Sequence, residues 1–352
     1  MVAKSSTYLI TIIFSALILL WFPATTVSQK NGNSTPPDID QFLSSIFNLP
    51  LHAIQALAKY FIFSSKISSK DIEIISYKPN NKNETTNLSS TKDISLSADE
   101  KIVIIVHGFQ SQATADWVKS LASAYHNIGI KNTLAINWQK IAKQFYSTAA
   151  EATKMVGEMV GEWLFDNILQ QNSSKLENIH LVGHSLGAHV AGFIAKKISN
   201  LTDGEKVYRV SGLDVAAPLF EYPIKLPTTS RLDRDDAQNV DVYHTDGGLF
   251  GFLSPTGQQD FYVNYGGPIQ PGCEGNILES VECSHSFSHK LFTKTLNSSD
   301  YIAIRCDNTE LAKTGECDNN IAVTFGQNIN GSDYGSFYGF VDSNADPVIG
   351  GI

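Results

Sequence analysis

A serine flanked by two glycines is the residue of this sequence best placed to do chemistry. Residues 179–189 read IHLVGHSLGAH, which sets Ser185 between Gly183 and Gly187. An apolar run precedes this G-x-S-x-G segment and a helical pattern follows it, as the turn around a nucleophilic serine requires. Side chains at the glycine positions would clash in so tight a turn, and a helix N-terminus favours developing negative charge. We therefore expect Ser185 to be a nucleophile.

A nucleophilic serine needs a base, and the base needs a carboxylate to orient it. With this motif the three residues follow one another along the chain as Ser, Asp and His. Asp214 comes directly after the next apolar run, at 207–213, and would lie at the same edge of a parallel sheet as Ser185. We expect Asp214 to be the carboxylate; the alternative is an ordinary acidic loop residue.

Nine histidines compete for the role of base. His285 lies two residues after Cys283 and just ahead of a helical pattern at 286–296, so a disulfide would hold its loop in place. His244 is the second candidate, and His289, one turn into the predicted helix, is expected to be packed or solvated. The predicted triad is Ser185, Asp214 and His285.

Two backbone N–H groups should bind the oxyanion that forms during acyl transfer. The first belongs to Leu186, directly after the nucleophile. The second is expected in the loop that follows the apolar run at 102–106, where Gly108 lets the backbone turn and Phe109 presents its N–H.

Short β-branched runs alternate with longer helical patterns from residue 102 onward. Such alternation indicates a mostly parallel central sheet with helices on both faces. Together with the serine motif it predicts an α/β-hydrolase fold over residues 66–352. Strands are predicted at 102–106, 133–138, 178–182, 207–213 and 240–244, and helices at 114–128, 141–169 and 185–198. After about residue 325 the chain turns rich in Gly, Asn, Ser and Asp.

Residues 1–28 have the pattern of a secretory signal peptide. Lys4 precedes an apolar run at 8–22, and small residues follow it. The run is shorter than the ~20 residues that span a bilayer, which argues against a membrane anchor. Seven N-x-S/T sequons also favour a secreted, extracellular glycoprotein. The N-terminal extension at 29–65 has an apolar part at 41–63, interpreted as a packed helix or as an interfacial or propeptide segment.

The four cysteines form two local pairs, Cys273 with Cys283 and Cys306 with Cys317. An oxidising compartment favours disulfides, and we expect this pairing among the three connectivities that four cysteines allow. The net charge of −9, without a basic run, excludes nucleic acid as a partner. It also means that contact with lipid must depend on apolar side chains.

These motifs resemble the pancreatic lipase family of animals. The resemblance implies that Ser185, Asp214 and His285 form the triad and that Phe109 and Leu186 donate to the oxyanion. No cofactor is expected for the chemistry. The matching segments lie at 107–109, 183–189, 211–214, 231–245, 271–273 and 283–285.

The resemblance further implies a structural calcium ion in the segment RLDRDD at 231–236. The ligands would be the backbone oxygen of Arg231 and the carboxylates of Asp233 and Asp236, hard oxygen donors that suit calcium. The alternative is a solvated loop of mixed charge.

Departures from the family's pattern bear on substrate and partners. The chain ends about where the family's lipase domain ends, so neither the C-terminal β-sandwich of the pancreatic enzymes nor colipase docking is expected. Gln259 stands where a histidine is usual. Cys273 and Cys283 enclose only residues 274–282, where triacylglycerol lipases of the family have a longer lid. A short lid resembles the phospholipase A1 branch, although related insect digestive-type lipases have one too.

The predicted function is hydrolysis of carboxylic ester bonds in phospholipids or acylglycerols through an acyl-enzyme, with a lipid interface as the partner. Two alternatives stay open. One is a carboxylesterase for soluble esters, and the other is a catalytically silent, yolk-type lipid-binding protein. The presence of all three triad residues argues against the silent protein.

Overall fold

The computed structural model describes residues 67–79, 83–89, 94, 96, 100–170, 173–329 and 331–348. The predicted signal peptide at 1–28 and the extension at 29–65 lie outside these residues. Within the described part of the chain, no helix is long and apolar enough to cross a membrane. The sequon residues Asn83, Asn200 and Asn297 are exposed, so a glycosyltransferase could reach them.

One sheet contains all eleven named strands. They are β1 Glu73–Tyr77, β2 Glu84–Asn87, β3 Ile102–Val106, β4 Asn132–Asn137, β5 Ile179–His184, β6 Arg209–Leu213, β7 Asn239–His244, β8 Gln259–Val263, β9 Ile302–Arg305, β10 Ala322–Thr324 and β11 Gly335–Gly339. Their order is β10-β9-β11-β8-β7-β6-β5-β3-β4-β1-β2. From β11 to β4 the sheet is parallel, whereas β1, β2, β9 and β10 run antiparallel to their neighbours. This architecture confirms the predicted α/β-hydrolase fold.

Six α-helices are named among the described residues. They are α1 Asp116–Asn127, α2 Gln139–Ala142, α3 Tyr146–Leu164, α4 Leu186–Leu201, α5 Ile277–Thr295 and α6 Thr309–Lys313. A π-helical segment at Phe165–Leu169 extends α3, and 3-10 turns lie at Ser69–Asp71, Ser173–Asn178, Thr228–Ser230, Asn264–Gly266 and Gly326–Asn328. The prediction of one helix over 141–169 was wrong, because the chain breaks between α2 and α3.

The central strand β3 shows why the sheet is covered on both faces. All five of its residues, IVIIV, are buried. Ile102, Ile104 and Val106 belong to the apolar core on the side of α3 and α4. Val103 and Ile105 belong to the core on the side of α1 and α5. Because side chains alternate along a strand, a continuous β-branched run supplies both layers.

The helix α5 begins nine residues earlier than the predicted start at 286. Asn276 caps it, since its side chain accepts a hydrogen bond from the Glu279 N–H at 3.1 Å. An asparagine cap satisfies one of the N–H groups left open at a helix start. Cys283 and His285 therefore lie on a helix, and the prediction of a loop around His285 was wrong.

A strand also forms in the polar C-terminal stretch. β11 reads GSFYG and lies between β8 and β9, inside the sheet. Phe337 packs into one core and Tyr338 into another, so two large side chains suffice for a short strand. The glycines at both ends hid this strand in the sequence pattern.

Arg209 and Asp241 form a buried ion pair that joins the sheet to the chain after β10. The guanidinium donates to both Asp241 oxygens at 2.8 Å, and to the backbone oxygens of Gly326 and Gln327 at 2.7 and 2.9 Å. The Ser211 hydroxyl also donates to the carboxylate. Every strong donor and acceptor of this pair thus has a partner, which is the condition for tolerating buried charge.

Asp241→Ala should lower the free energy of unfolding by about 3–5 kcal/mol, because it leaves the Arg209 charge buried without a counterion. Lys119→Ala is the control. Its partner Asp116 is exposed, so the loss there should stay below about 1 kcal/mol. Urea denaturation of both variants measures the difference, and equal losses would contradict this account.

Candidate active site

The backbone at Ser185 turns sharply between β5 and α4. Ser185 has φ 57° and ψ −124°, a conformation that costs a non-glycine residue energy and is found at functional sites. A Cβ on Gly183 would lie 2.4 Å from the Gly187 oxygen, and one on Gly187 would lie 2.2 Å from the Val106 oxygen. The two glycines therefore have the role predicted for them. Without side chains, they allow the backbone around Ser185 to pack closely on itself and on the end of β3.

The loops after β3 and β6 lie on either side of this turn. A Cβ on Gly108 would lie 2.7 Å from the Ser185 Cβ and 3.2 Å from its Oγ. The Ser185 N–H donates to the Leu213 oxygen at 3.1 Å. The serine hydroxyl is therefore held at the carboxyl end of the parallel strands, where ligands bind to such sheets.

Asp214 and His285 are joined by a short hydrogen bond. His285 Nδ1 lies 2.6 Å from Asp214 Oδ2, and the carboxylate is fully buried. The other oxygen, Oδ1, accepts from the backbone N–H groups of Thr245 and Asp246 at 2.8 and 3.0 Å. Because Nδ1 donates to Asp214, the Nε2 of a neutral His285 is an acceptor and can take up a proton.

His285 is also tied to the serine turn from its backbone side. The ring of His184, the residue before Ser185, lies 4.6 Å from the His285 ring, and its Nε2 donates to the His285 oxygen at 3.1 Å. The disulfide Cys273–Cys283 anchors the preceding turn of α5. The second predicted pair, Cys306–Cys317, is present as well, so both predicted pairings are confirmed.

The other two candidate bases, His244 and His289, are engaged in other contacts. His244 donates from Nδ1 to the Phe252 oxygen and from Nε2 to Asp260; burial opposes its charged form, but the bond and charge of Asp260 raise its pKa. His289 stacks on Trp117 at 4.7 Å between ring centres. Burial and the neighbouring His285 lower the pKa of His289 to about 3, so it stays neutral. Of the two environments expected for His289, packed or solvated, the structure has the packed one.

Asp246 is a second buried acid that the sequence analysis did not single out. Burial and the nearby Asp214 raise the pKa of Asp246 to about 9, despite a hydrogen bond from the Phe250 N–H. Its Oδ1 has no hydrogen-bond partner, which suits a protonated carboxyl. A signal existed: Asp246 comes two residues after β7 ends, much as Asp214 follows β6.

His107 orients the peptide that leads to Phe109. Its Nε2 accepts from the Trp138 N–H at 3.3 Å, so its Nδ1 carries the proton and donates to the Gly108 oxygen at 2.9 Å. Burial lowers the pKa of His107 to about 4 and keeps it neutral. In a planar trans peptide the C=O and the next N–H point in opposite directions. His107 therefore sets the direction of the Phe109 N–H, one of the predicted oxyanion donors.

His189 links the serine helix to two loops. Its Nδ1 accepts from the Leu232 N–H at 3.1 Å, and its Nε2 donates to the Ala216 oxygen at 2.8 Å. The ring stacks on Phe220 at 3.6 Å. Burial lowers the pKa of His189 to about 3. His189 therefore has a structural role, since both ring nitrogens bind backbone groups.

The predicted calcium ligands Arg231, Asp233 and Asp236 lie together on the buried loop between β6 and β7. A lysine is already there. The Lys196 ammonium, from α4, donates to the Arg231 oxygen at 3.1 Å and to the Asp236 carboxylate. Two of the three predicted ligand groups thus bind a side-chain cation, and the residues do not fit a calcium ion.

The strand order and the strained serine between β5 and α4 place this chain among the α/β-hydrolases. It belongs to the lipase family, whose family model matches residues 48–333. The predicted resemblance to pancreatic lipases is confirmed by the relatives that follow.

Lipase member H of Rattus norvegicus is 34% identical over 236 residues, 65% of this chain and 50% of that protein. Lipase member H-B of Xenopus laevis is 33% identical over 257 residues, covering 70% and 54%. Pancreatic triacylglycerol lipase of Mus musculus is 31% identical over 255 residues, covering 66% and 52%. The chain thus spans about half the length of these curated relatives. Among solved structures, an esterase of Pyrococcus furiosus aligns with a TM-score of 0.31 and 15% identity over 53% of this chain and 78% of that one.

The two acids beside His285 should respond differently to the same substitution. Asp214→Asn should lower kcat by about 10⁴-fold, because an amide cannot hold the histidine tautomer as a carboxylate does. Asp246→Asn should leave kcat close to the native value, because the amide resembles a carboxyl that is already neutral. Steady-state kinetics on a soluble chromogenic ester measure both. A collapse of kcat in Asp246→Asn would show that Asp246 works as an anion.

Proposed function

We propose that this protein is a secreted serine esterase that hydrolyses carboxylic ester bonds of phospholipids, acylglycerols or both. The observation that carries the proposal is the buried Asp214–His285 hydrogen bond at the strained Ser185 turn. The signal-peptide pattern, the exposed sequons and the two disulfides support secretion.

In the proposed reaction the Ser185 Oγ attacks the carbonyl carbon of the ester while its proton passes to His285 Nε2. The negative charge that forms on the carbonyl oxygen is stabilised by the N–H groups of Leu186 and Phe109. His285 then protonates the leaving alcohol, and an acyl-enzyme remains. In the second half of the reaction His285 takes a proton from water, which attacks the acyl-enzyme. His285 then returns a proton to the Ser185 oxygen, so that the fatty acid leaves and the Ser185 hydroxyl is restored.

Exposed apolar side chains on α5 and on the loops after β7 and β8 support a lipid rather than a soluble ester as substrate. Ile277 and Leu278, in the first turn of α5, are 64% and 41% exposed. Ile269 and Leu253 are 63% and 52% exposed. The Ile269 N–H donates to the Ser284 hydroxyl, so the backbone at Ile269 lies beside the neighbour of His285. Exposed apolar side chains of this kind suit contact with an apolar phase.

The flap between Cys273 and Cys283 supports phospholipid as the preferred substrate. Val281 is buried and fastens the flap to the core, whereas Glu274, Glu279 and Glu282 face solvent. So short a segment leaves room for a polar head group beside the site. Its three carboxylates would repel anionic head groups and tolerate zwitterionic ones.

Ser185→Ala should abolish turnover, by a factor on the order of 10⁶, while the protein stays folded. His285→Ala should cost nearly as much because the triad acts as a unit. His289→Ala should cost little. Labelling with a fluorophosphonate probe and ester kinetics measure the three variants, with circular dichroism as the check on folding. Activity that survives in His285→Ala but is lost in His289→Ala would assign the base to His289.

The sn-1 ester of phosphatidylcholine should be hydrolysed at least as fast as the esters of triolein. Fatty-acid release by purified protein from vesicles and from an emulsion, at matched interfacial area, measures the two rates. Glu274→Gln combined with Glu282→Gln should raise the rate on phosphatidylserine relative to phosphatidylcholine. Glu310→Gln, on the distant helix α6, is the control. Activity on triolein without any release from phosphatidylcholine would exclude the phospholipase assignment.

A further inference from the structure

The Lys196 side chain lies where the family resemblance places a metal ion. It comes from the third turn of α4, the helix that begins directly after Ser185. Its ammonium group donates to the Arg231 oxygen at 3.1 Å and to Asp236 Oδ1. A lysine presents three donors at a single positive centre, and two of them are used on this loop.

The remaining carboxylate oxygens of the loop also have partners. Asp236 Oδ2 accepts from the Asp233 N–H at 2.9 Å, and Asp233 Oδ1 accepts from the Asp235 N–H at 3.3 Å. Asp233 Oδ2 lies 3.5 Å from Arg231 Nη1. A calcium ion takes six to eight oxygen ligands, so it would have to compete with the Lys196 ammonium for the Arg231 and Asp236 oxygens.

The charges of the loop are already balanced. Two buried carboxylates, Asp233 and Asp236, face two cations, Lys196 and Arg231. The other charged residues of the segment, Arg234 and Asp235, are exposed. A divalent ion would add two positive charges to a buried site whose two carboxylates already face two cations. Uncompensated charge in such a site is strongly unfavourable.

The contact fastens the loop to the serine helix. A Cβ on Gly192 would lie 2.8 Å from Asp236 Oδ2 and 3.0 Å from the Leu232 Cα, so loop and helix approach without an intervening side chain. His189, one turn earlier on α4, accepts from the Leu232 N–H. Lys196 adds the ionic part of this attachment.

We infer that Lys196 is a built-in cation that takes the place of calcium, so that the loop at 231–236 is held on α4 without any metal. The protein therefore binds no calcium at this loop and does not depend on it for stability. Removing the lysine side chain opens a site lined by oxygens, which a calcium ion can then occupy.

The test compares native protein with Lys196→Ala and with Lys197→Ala as a matched control. The two lysine side chains are 23% and 25% exposed, and Lys197 pairs with Glu162 on α3 instead of the loop. The readouts are the Tm by calorimetry, with EDTA or with calcium chloride, and calcium binding by titration calorimetry. None of them depends on ester hydrolysis, so the inference and the proposed function can fail separately.

Native protein should show no heat of calcium binding, and its Tm should be the same in EDTA and in calcium. Lys196→Ala in EDTA should lose about 5 °C, because the Asp236 charge stays buried without its partner. Calcium should restore at least half of that loss. Lys197→Ala should change little in either condition.

Several results would overturn the inference. The first is calcium binding by the native protein, which can be measured even if no variant folds. The second is an equal loss of Tm in the two lysine variants, which would mean that Lys196 does not hold the loop. The third is a destabilised Lys196→Ala that calcium does not restore, which would mean that the lysine does not stand in a cation site.

Discussion

The buried carboxylate of Asp214 is the point on which the site depends. Its two oxygens accept three hydrogen bonds, from His285 on α5 and from two backbone N–H groups after β7. A buried charge is stable only when it is bonded in this way. The same bonds join three parts of the chain that are far apart in sequence. Loss of the carboxylate would therefore release the base and the loop after β7 together.

Two titratable groups beside the Asp214–His285 pair are neutral. Asp246, beside it, is protonated because burial and Asp214 raise its pKa. His184, next to the base, stays neutral because burial and the adjacent His285 and His289 hold its pKa well below the usual range. Asp246 and His184 therefore add packing and hydrogen bonds around the pair without adding charge.

The elements whose residue pattern is local could be predicted from the sequence. The apolar runs at β3 to β7, the glycines around Ser185 and the triad order could all be read from the chain. Sequence reasoning missed β11, whose two large side chains gain a strand only from the neighbours that long-range folding provides. It also missed the early start of α5, although Asn276 followed by Glu279 three residues later is a helix-start signal.

The predicted calcium ion is a different case, because the group inferred to replace it lies outside the motif. The segment at 231–236 contains the oxygen donors, but the group that occupies them, Lys196, lies on another element. Nothing in a linear pattern pairs a helix lysine with a loop thirty-five or more residues away. Ligand residues can be predicted from a motif, whereas the charge they face can be read only from packing.

Because α5 begins at Ile277, it contains both part of the segment between Cys273 and Cys283 and the base His285. Ile277 and Leu278, which face solvent, and His285 lie on one continuous helix, about 12 Å apart along its axis at 1.5 Å per residue. The disulfide Cys273–Cys283 encloses residues 274–282, which include Ile277 and Leu278. A rigid helix transmits a displacement of one end to the other, since its backbone bonds do not yield separately. Under the proposed function, contact of Ile277 and Leu278 with a lipid surface would act on the same helix that carries His285.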